Sequence, residues 1–308
     1  MKPVLTSSLL LLLAIITGIS VANLYYLQPL LSEVGLSFKV SPTTVGSGAM
    51  LTQIGYALGM LFILPLADIV NKKRLICGVT LGAAIILMVI GFSHNLWVFL
   101  LATFLLGACS VTPQLIIPLG AELADVKSRG VAIGKIMSGL FVGILLSRTV
   151  SGFIGEYLGW NMVYFIASGL MLVIVLTVIF YLPNYHNPQP IKYVELFISI
   201  FKIAQQERTL RNAALNGGLT FAVFSVFWTT LPFWLASPQY NLGPQVVGIF
   251  GLVGIIGVIV APFVGKMADR RSPETTISWA IIIVILSYLC FLFLGKHVIG
   301  LIIGVILL

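Results

Sequence analysis

Apolar runs long enough to cross a lipid bilayer follow one another along the whole chain, separated by short polar loops. A helix needs about 20 apolar residues to span the hydrocarbon core. Such runs occupy residues 5–31, 44–68, 75–93, 97–121, 131–157, 161–182, 212–236, 245–266 and 276–295, and a tenth begins near Val298 and reaches Leu308. In lipid every backbone N–H and C=O must find a partner within the segment, so runs of this length and composition specify helices. Charged residues make up 8% of the chain, against about 25% in a soluble domain, too few to clothe a water-facing surface. The expected fold class is therefore an all-α membrane protein.

The net charge of +8 does not point to nucleic acid, because the basic residues sit in short loops between the runs. With the N-terminus in the cytoplasm, the inner loops and helix ends hold every Lys and Arg except Lys39, Lys296 and Arg148. That asymmetry is the positive-inside pattern and fixes the expected orientation. Lys2 and the small residues Ser20, Val21 and Ala22 imitate a cleaved signal peptide, but the apolar run continues past them and is read as a span. Cys77, Cys109 and Cys290 lie inside apolar runs and His94, His186 and His297 are isolated, so neither a disulfide framework nor a metal set is expected. No catalytic triad or nucleotide-binding loop is present; no enzyme activity and no cofactor are expected.

The longest polar break, about 183–211, contains Pro183, Pro188 and Pro190. It divides the chain into a six-helix bundle over 1–183, a cytoplasmic linker over 184–211 and a second bundle over 212–308. The later part of the linker, 191–206, has the pattern of an amphipathic surface helix. A repeat supports the division. Asp68, with Lys72, Lys73 and Arg74 behind it, ends the second span of the first half, and Asp269 with Arg270 ends the second span of the other. Parallel repeats of this kind are a known transporter plan.

Arg148 is the one basic residue deep in a span, and no Asp or Glu lies deep in any span to neutralise it. An Arg at such a depth costs about 3 kcal/mol even on translocon scales. Asn23, Tyr25, Tyr26 and Gln28 in span one, and Gln53 and Tyr56 in span two, lie at similar depth at 1.5 Å rise per residue. Gln114, between Pro113 and Pro118 in span four, is a further polar candidate on a helix the prolines should kink. These residues either line a central cavity in which Arg148 grips a polar or anionic group, or form a structural hydrogen-bond post. Phe221, Phe224 and Trp228 share a face of span seven, as a substrate wall or as lipid-facing anchors. Gly139, Gly143, Ser147, Ser151 and Gly155 recur every four residues in span five, and Gly248, Gly251, Gly254 and Gly257 every three in span eight. Such stripes let helices approach closely, for rocking or for static packing.

These features together resemble the major facilitator superfamily. The segment from Pro65 through Asp68 to Lys72 and Lys73 is similar to the family's loop between spans two and three, with Leu64, Ile69 and Asn71 departing from it. The second copy matches at Gly265, Asp269 and Arg270. The segment 23–31, the run from Gly55 to Gly59 and the run from Arg148 to Gly152 look like motifs of its bacterial drug and metabolite efflux branch. Thr103 and Leu106 stand where many proton-coupled exporters carry an arginine and a glutamine, and the usual glycine-proline pair of span five is missing.

The resemblance implies two six-helix bundles, alternating access and proton-coupled efflux of a small amphipathic compound from a monomer in the bacterial inner membrane. It also implies that the Asp68 loop acts as a gating latch, the alternative being a loop that only sets topology. It pairs span five with span eight across the halves. Against a twelve-span plan the second bundle is expected to be truncated. Two other readings stay open, an inactive remnant and a membrane receptor or assembly partner on the same scaffold.

Overall fold

The computed structural model describes residues 5–184, 192–254 and 273–308, with side chains from 278 onward in the last stretch. All regular structure among the described residues is helical. Helix α1 spans Ser7–Ala22, α2 Leu27–Phe38, α3 Pro42–Phe62, α4 Lys72–Gly91, α5 Leu96–Cys109, α6 Thr112–Leu123, α7 Arg129–Leu158 and α8 Trp160–Tyr181. They are followed by α9 Tyr193–Gln206, α10 Arg208–Leu235, α11 Pro244–Val253, α12 Pro273–Leu294 and α13 Val298–Leu307. A short 3-10 turn, Leu64–Asp68, ends the α3 span.

Side chains at the loop boundaries start several of these helices. Thr6 Oγ1 accepts the Leu9 N–H at 3.2 Å, Ser41 Oγ accepts that of Thr44 at 3.2 Å with Pro42 in the first turn, and Asn71 Oδ1 accepts that of Arg74 at 3.1 Å. Each satisfies one of the donors a helix start leaves open. Gly159, at φ 86°, turns the chain directly from α7 into α8, a conformation a side chain would oppose.

Two spans expected as single helices are broken. The 5–31 run becomes α1 and α2, which continues to Phe38, and the 97–121 run becomes α5 and α6. The same cause acts at both breaks. A proline ring clashes with the carbonyl four residues earlier and offers no N–H. Pro29 sits four residues after Tyr25, and the intervening turn tightens, with Gln28 N donating to Tyr25 O at 3.2 Å and Tyr25 N to Ala22 O at 2.9 Å. Pro113 sits four after Cys109, where α5 ends, and Ser110 N donates to Gly107 O at 3.0 Å. The break in span four agrees with the kink expected there; that in span one was not anticipated.

Seven stretches among the described residues are long and apolar enough to cross a membrane, and α11, α13 and the 278–294 part of α12 are shorter apolar helices. The expected span over 245–266 is described only as far as Gly254. Gly257, Gly265, Asp269 and Arg270 lie outside the described residues.

Burial divides into two main cores. One runs from Leu10 to Leu182 and the other from Phe227 to Val305, while Val21, Leu24, Tyr25 and Leu140 form a small third cluster. In the first group α1 packs on α7, α3 on α5 and α4 on α8; α11 then packs on α7 and α10 on α2. Backbone-to-backbone contact is made possible by glycine. A Cβ at Gly55 would strike the Phe104 carbonyl, and one at Gly107 the Thr52 carbonyl. Helix α9 has no buried residue; Tyr193 Oη donates to Phe62 O at 2.9 Å and Phe197 stacks on Phe62 at 5.3 Å. Contacts between the two groups concentrate at the end that carries Gly159 and Gly243. There Thr149 Oγ1 donates to Gly248 O at 2.9 Å and Tyr157 Oη to Gln245 Oε1 at 3.1 Å. Towards the other end, residues 208–222 of α10 are exposed.

Candidate functional site

Arg148 is fully buried in α7. Its Nε donates to Gln28 Oε1 at 2.7 Å and its Nη1 to the Ile144 carbonyl at 2.9 Å. Three rings surround the guanidinium, with Cζ 4.5 Å from the Tyr25 centroid, 4.2 Å from that of Trp228 and 5.5 Å from that of Phe224. The proline break explains half of this geometry, since Tyr25 lies in the turn it creates and Gln28 in the first turn of α2. The other half comes from α10, which brings Trp228 and Phe224 from the second group.

Burying an isolated cation costs several kcal/mol. A hydrogen bond from a charged donor returns about 1.5–3 kcal/mol, and a cation–π contact about 0.5–2 kcal/mol. Two hydrogen bonds and three rings therefore offset most of the cost without an acid. Arg148 makes no ion pair among the described residues. Among the described residues its Nη2 has no hydrogen-bond partner, nor has the indole Nε1 of Trp228, which is 3% exposed. Two buried donors are thus left open around one cation.

Beside this cluster Gln114 Nε2 donates to Tyr56 Oη at 3.0 Å, and Tyr56 packs against the small core that contains Tyr25. Arg148, Gln28, Tyr25 and Trp228 thus meet directly, and Gln114 reaches the same neighbourhood through Tyr56. Three other candidates go elsewhere. Asn23 Nδ2 points to Met171 Sδ at 3.4 Å, Tyr26 packs into the first core, and Gln53 is half-buried on α3 with no hydrogen bond among the described residues. Tyr25 and Tyr26 part because adjacent residues in a turn face different ways. Of the three rings expected on one face of span seven, Phe224 and Trp228 join the cluster and Phe221 is exposed.

The loop after α3 carries the residues expected to form a latch. Asp68 is exposed and makes no hydrogen bond or ion pair among the described residues. The carboxylate in use is Glu122, whose two oxygens lie 2.6 Å from Lys72 Nζ. Lys73 Nζ donates to the Ile179 carbonyl at 2.7 Å, and the Arg74 side chain is exposed. Lys72 joins α4 to the end of α6 and Lys73 joins it to α8. A double-mutant cycle with Lys72→Ala and Glu122→Gln should give a coupling of about 1 kcal/mol in thermal unfolding; additive effects would remove the pair from the stability of this end.

The small-residue stripe of α7 packs mostly along span one. A Cβ on Gly139 would strike Ala14, one on Gly143 would strike Gly18, and one on Gly155 would strike Leu30. Ser147 and Ser151 are buried in the same row. The helices of spans five and eight do pair, but α7 meets Gly248, Gly251 and Gly254 through Leu145, Arg148, Thr149 and Gly152. Helix α7 therefore carries two contact edges, and sequence spacing showed only one.

A family model described as the Major Facilitator Superfamily matches residues 13–308. The chain belongs to the major facilitator superfamily. It is 39% identical over 304 residues to the uncharacterized transporter YgaY of Escherichia coli O157:H7, a match covering 99% of this chain and 77% of that protein. It is 27% identical over 238 residues to the multidrug resistance protein MdtG of Salmonella arizonae, covering 72% of this chain and 55% of MdtG. A solved bacterial homologue of the human lysosomal transporter Spinster superposes with a TM-score of 0.79 at 16% identity, covering 98% of this chain and 71% of that one. The all-α membrane fold expected from the apolar runs is thus the major facilitator fold, and the family is one of transporters.

Proposed function

We propose that the chain is a secondary active transporter that exports a small amphipathic organic compound by alternating access, using a proton or another ion gradient. The carrying observation is the position of Arg148, a buried cation on one helix group held under two aromatic rings of the other. A residue so placed changes its surroundings whenever the groups part, which is what a central transport site requires. Aromatic walls suit an amphipathic substrate, and the name of MdtG supports efflux. The cores on either side of α9 support a division into bundles over 1–183 and 212–308 with a linker over 184–211.

In the orientation proposed, with the N-terminus in the cytoplasm of a bacterial inner membrane, the end carrying Gly159 and Gly243 is outermost. The contacts gathered there correspond to a closed outer end. After replacement of the native cysteines, Arg74→Cys should react with impermeant maleimide only from the cytoplasmic side and His94→Cys only from outside. The reverse pattern would overturn this orientation.

The test of transport is flux in proteoliposomes. An imposed pH gradient is expected to drive a fluorescent amphipathic probe across vesicles containing the protein, and empty vesicles should show only leak. Flux indifferent to the pH gradient would discard proton coupling, and absence of flux under any ion gradient would discard the transporter reading for this chain.

A further inference from the structure

We infer that the site around Arg148 selects an organic oxyanion, a carboxylate or its equivalent carried on an apolar or aromatic body. The inference rests on the transport reading for the site's role and adds the chemical class of its ligand. Three observations lead to it.

The first is the set of donors left open. Arg148 Nη2 and Trp228 Nε1 are both buried without a partner among the described residues, and the ring of Trp228 lies 4.2 Å from the guanidinium carbon. Both groups only donate. Buried donors without acceptors are uncommon in folded proteins, so a pair around one cation calls for an incoming acceptor. An ammonium offers none.

The second is the charge. Arg148 has no ion pair among the described residues, and neither bonded partner, Gln28 Oε1 nor the Ile144 carbonyl, carries charge. The cation is solvated by amides and rings and remains available to an anion. A carboxylate accepts from a guanidinium in a charge-assisted hydrogen bond roughly twice as strong as one to a neutral acceptor.

The third is the division of the cluster. Gln28 and the Ile144 carbonyl hold Nε and Nη1 from within the first group, leaving Nη2 as the free arm. The covering rings of Trp228 and Phe224 belong to α10. Separation of the groups withdraws those rings and uncovers a fixed guanidinium with one free arm. An apolar body then replaces the contacts the rings supplied.

The test uses three naphthalene probes of like shape, 1-naphthoate, 1-naphthamide and 1-naphthylmethylammonium, titrated calorimetrically into the purified protein at neutral pH. Naphthoate is expected to bind about tenfold more tightly than either of the others, the yield of one charge-assisted hydrogen bond. Arg148→Gln should erase that preference and Arg148→Lys retain part of it. Trp228→Phe keeps a ring but removes the N–H; it should reduce the preference for naphthoate over the ammonium about threefold to tenfold. Each variant is first checked for wild-type elution and thermal unfolding, and Trp228→Phe serves if Arg148→Gln does not fold. Naphthoate binding no tighter than the amide or the ammonium, or no binding of naphthoate to folded wild type, would overturn the inference. Displacement of naphthoate by equimolar chloride would also overturn it, by assigning the donors to a small inorganic ion. Flux separates this from the transport reading. Naphthoate-selective binding without flux removes transport and keeps the inference, whereas flux of the ammonium without anion preference does the opposite.

Discussion

Replacing Arg148 by Ala is expected to lower substrate flux in proteoliposomes by about 100-fold while leaving membrane insertion intact. The substitution removes a charge-assisted contact to substrate, and such a bond is worth about 1.5–3 kcal/mol, or roughly tenfold to 100-fold in binding. It also leaves Gln28 Oε1 without its donor and takes the cation from under Tyr25 and Trp228. Arg148→Lys should fall between, because an ammonium keeps the charge but lacks the planar fork that serves Gln28, Ile144 and a ligand together. Flux, insertion and detergent-extracted yield measured on the same preparations decide the matter. Wild-type flux in Arg148→Ala would remove the residue from the transport site. Equal loss of flux and folded yield would assign it to the scaffold.

The second large effect is steric. A methyl group on Gly143 would be driven into the carbonyl of Gly18, which is backbone and cannot swing aside. Gly143→Ala is expected to destabilise the protein by about 1–3 kcal/mol, the usual cost of overpacking. Gly134→Ala, on the same helix with nothing within 4 Å of the added atom, should be neutral or slightly stabilising, since Ala exceeds Gly in helix propensity by about 1 kcal/mol. Thermal unfolding in detergent compares the two. Equal shifts would mean that α1 and α7 are not pressed together as described.

The fold was legible because lipid imposes one rule on backbone polar groups, and length with hydropathy reads it directly. The break in span one was harder, although Pro29 marked it, because the apolar run passes through it uninterrupted. Arg148 announced itself through the absence of any acid at its depth. Gln28 and Tyr25 could be matched to it by rise along a helix, yet depth alone could not separate Tyr25 from Tyr26 or exclude Asn23 and Gln53, because it carries no azimuth. Lys72 was visible as a basic loop residue. Its partner Glu122 was not, because it lies 50 residues further along the chain and nothing in local spacing brings the two together. The two edges of α7 were blurred for the same reason, since a four-residue repeat reveals one face and the second edge is set by the neighbour.

Those two edges are alike in kind and differ in partner. Along one, glycines bring the main chain of α7 against that of span one; along the other, Gly152 and Gly248 bring it against α11, and the hydroxyls of Thr149 and Tyr157 bond across. Arg148 lies between two seams, one inside its own helix group and one shared with the other. An occupant at its free arm would act as a shim, and its thickness would set how far the shared seam can close.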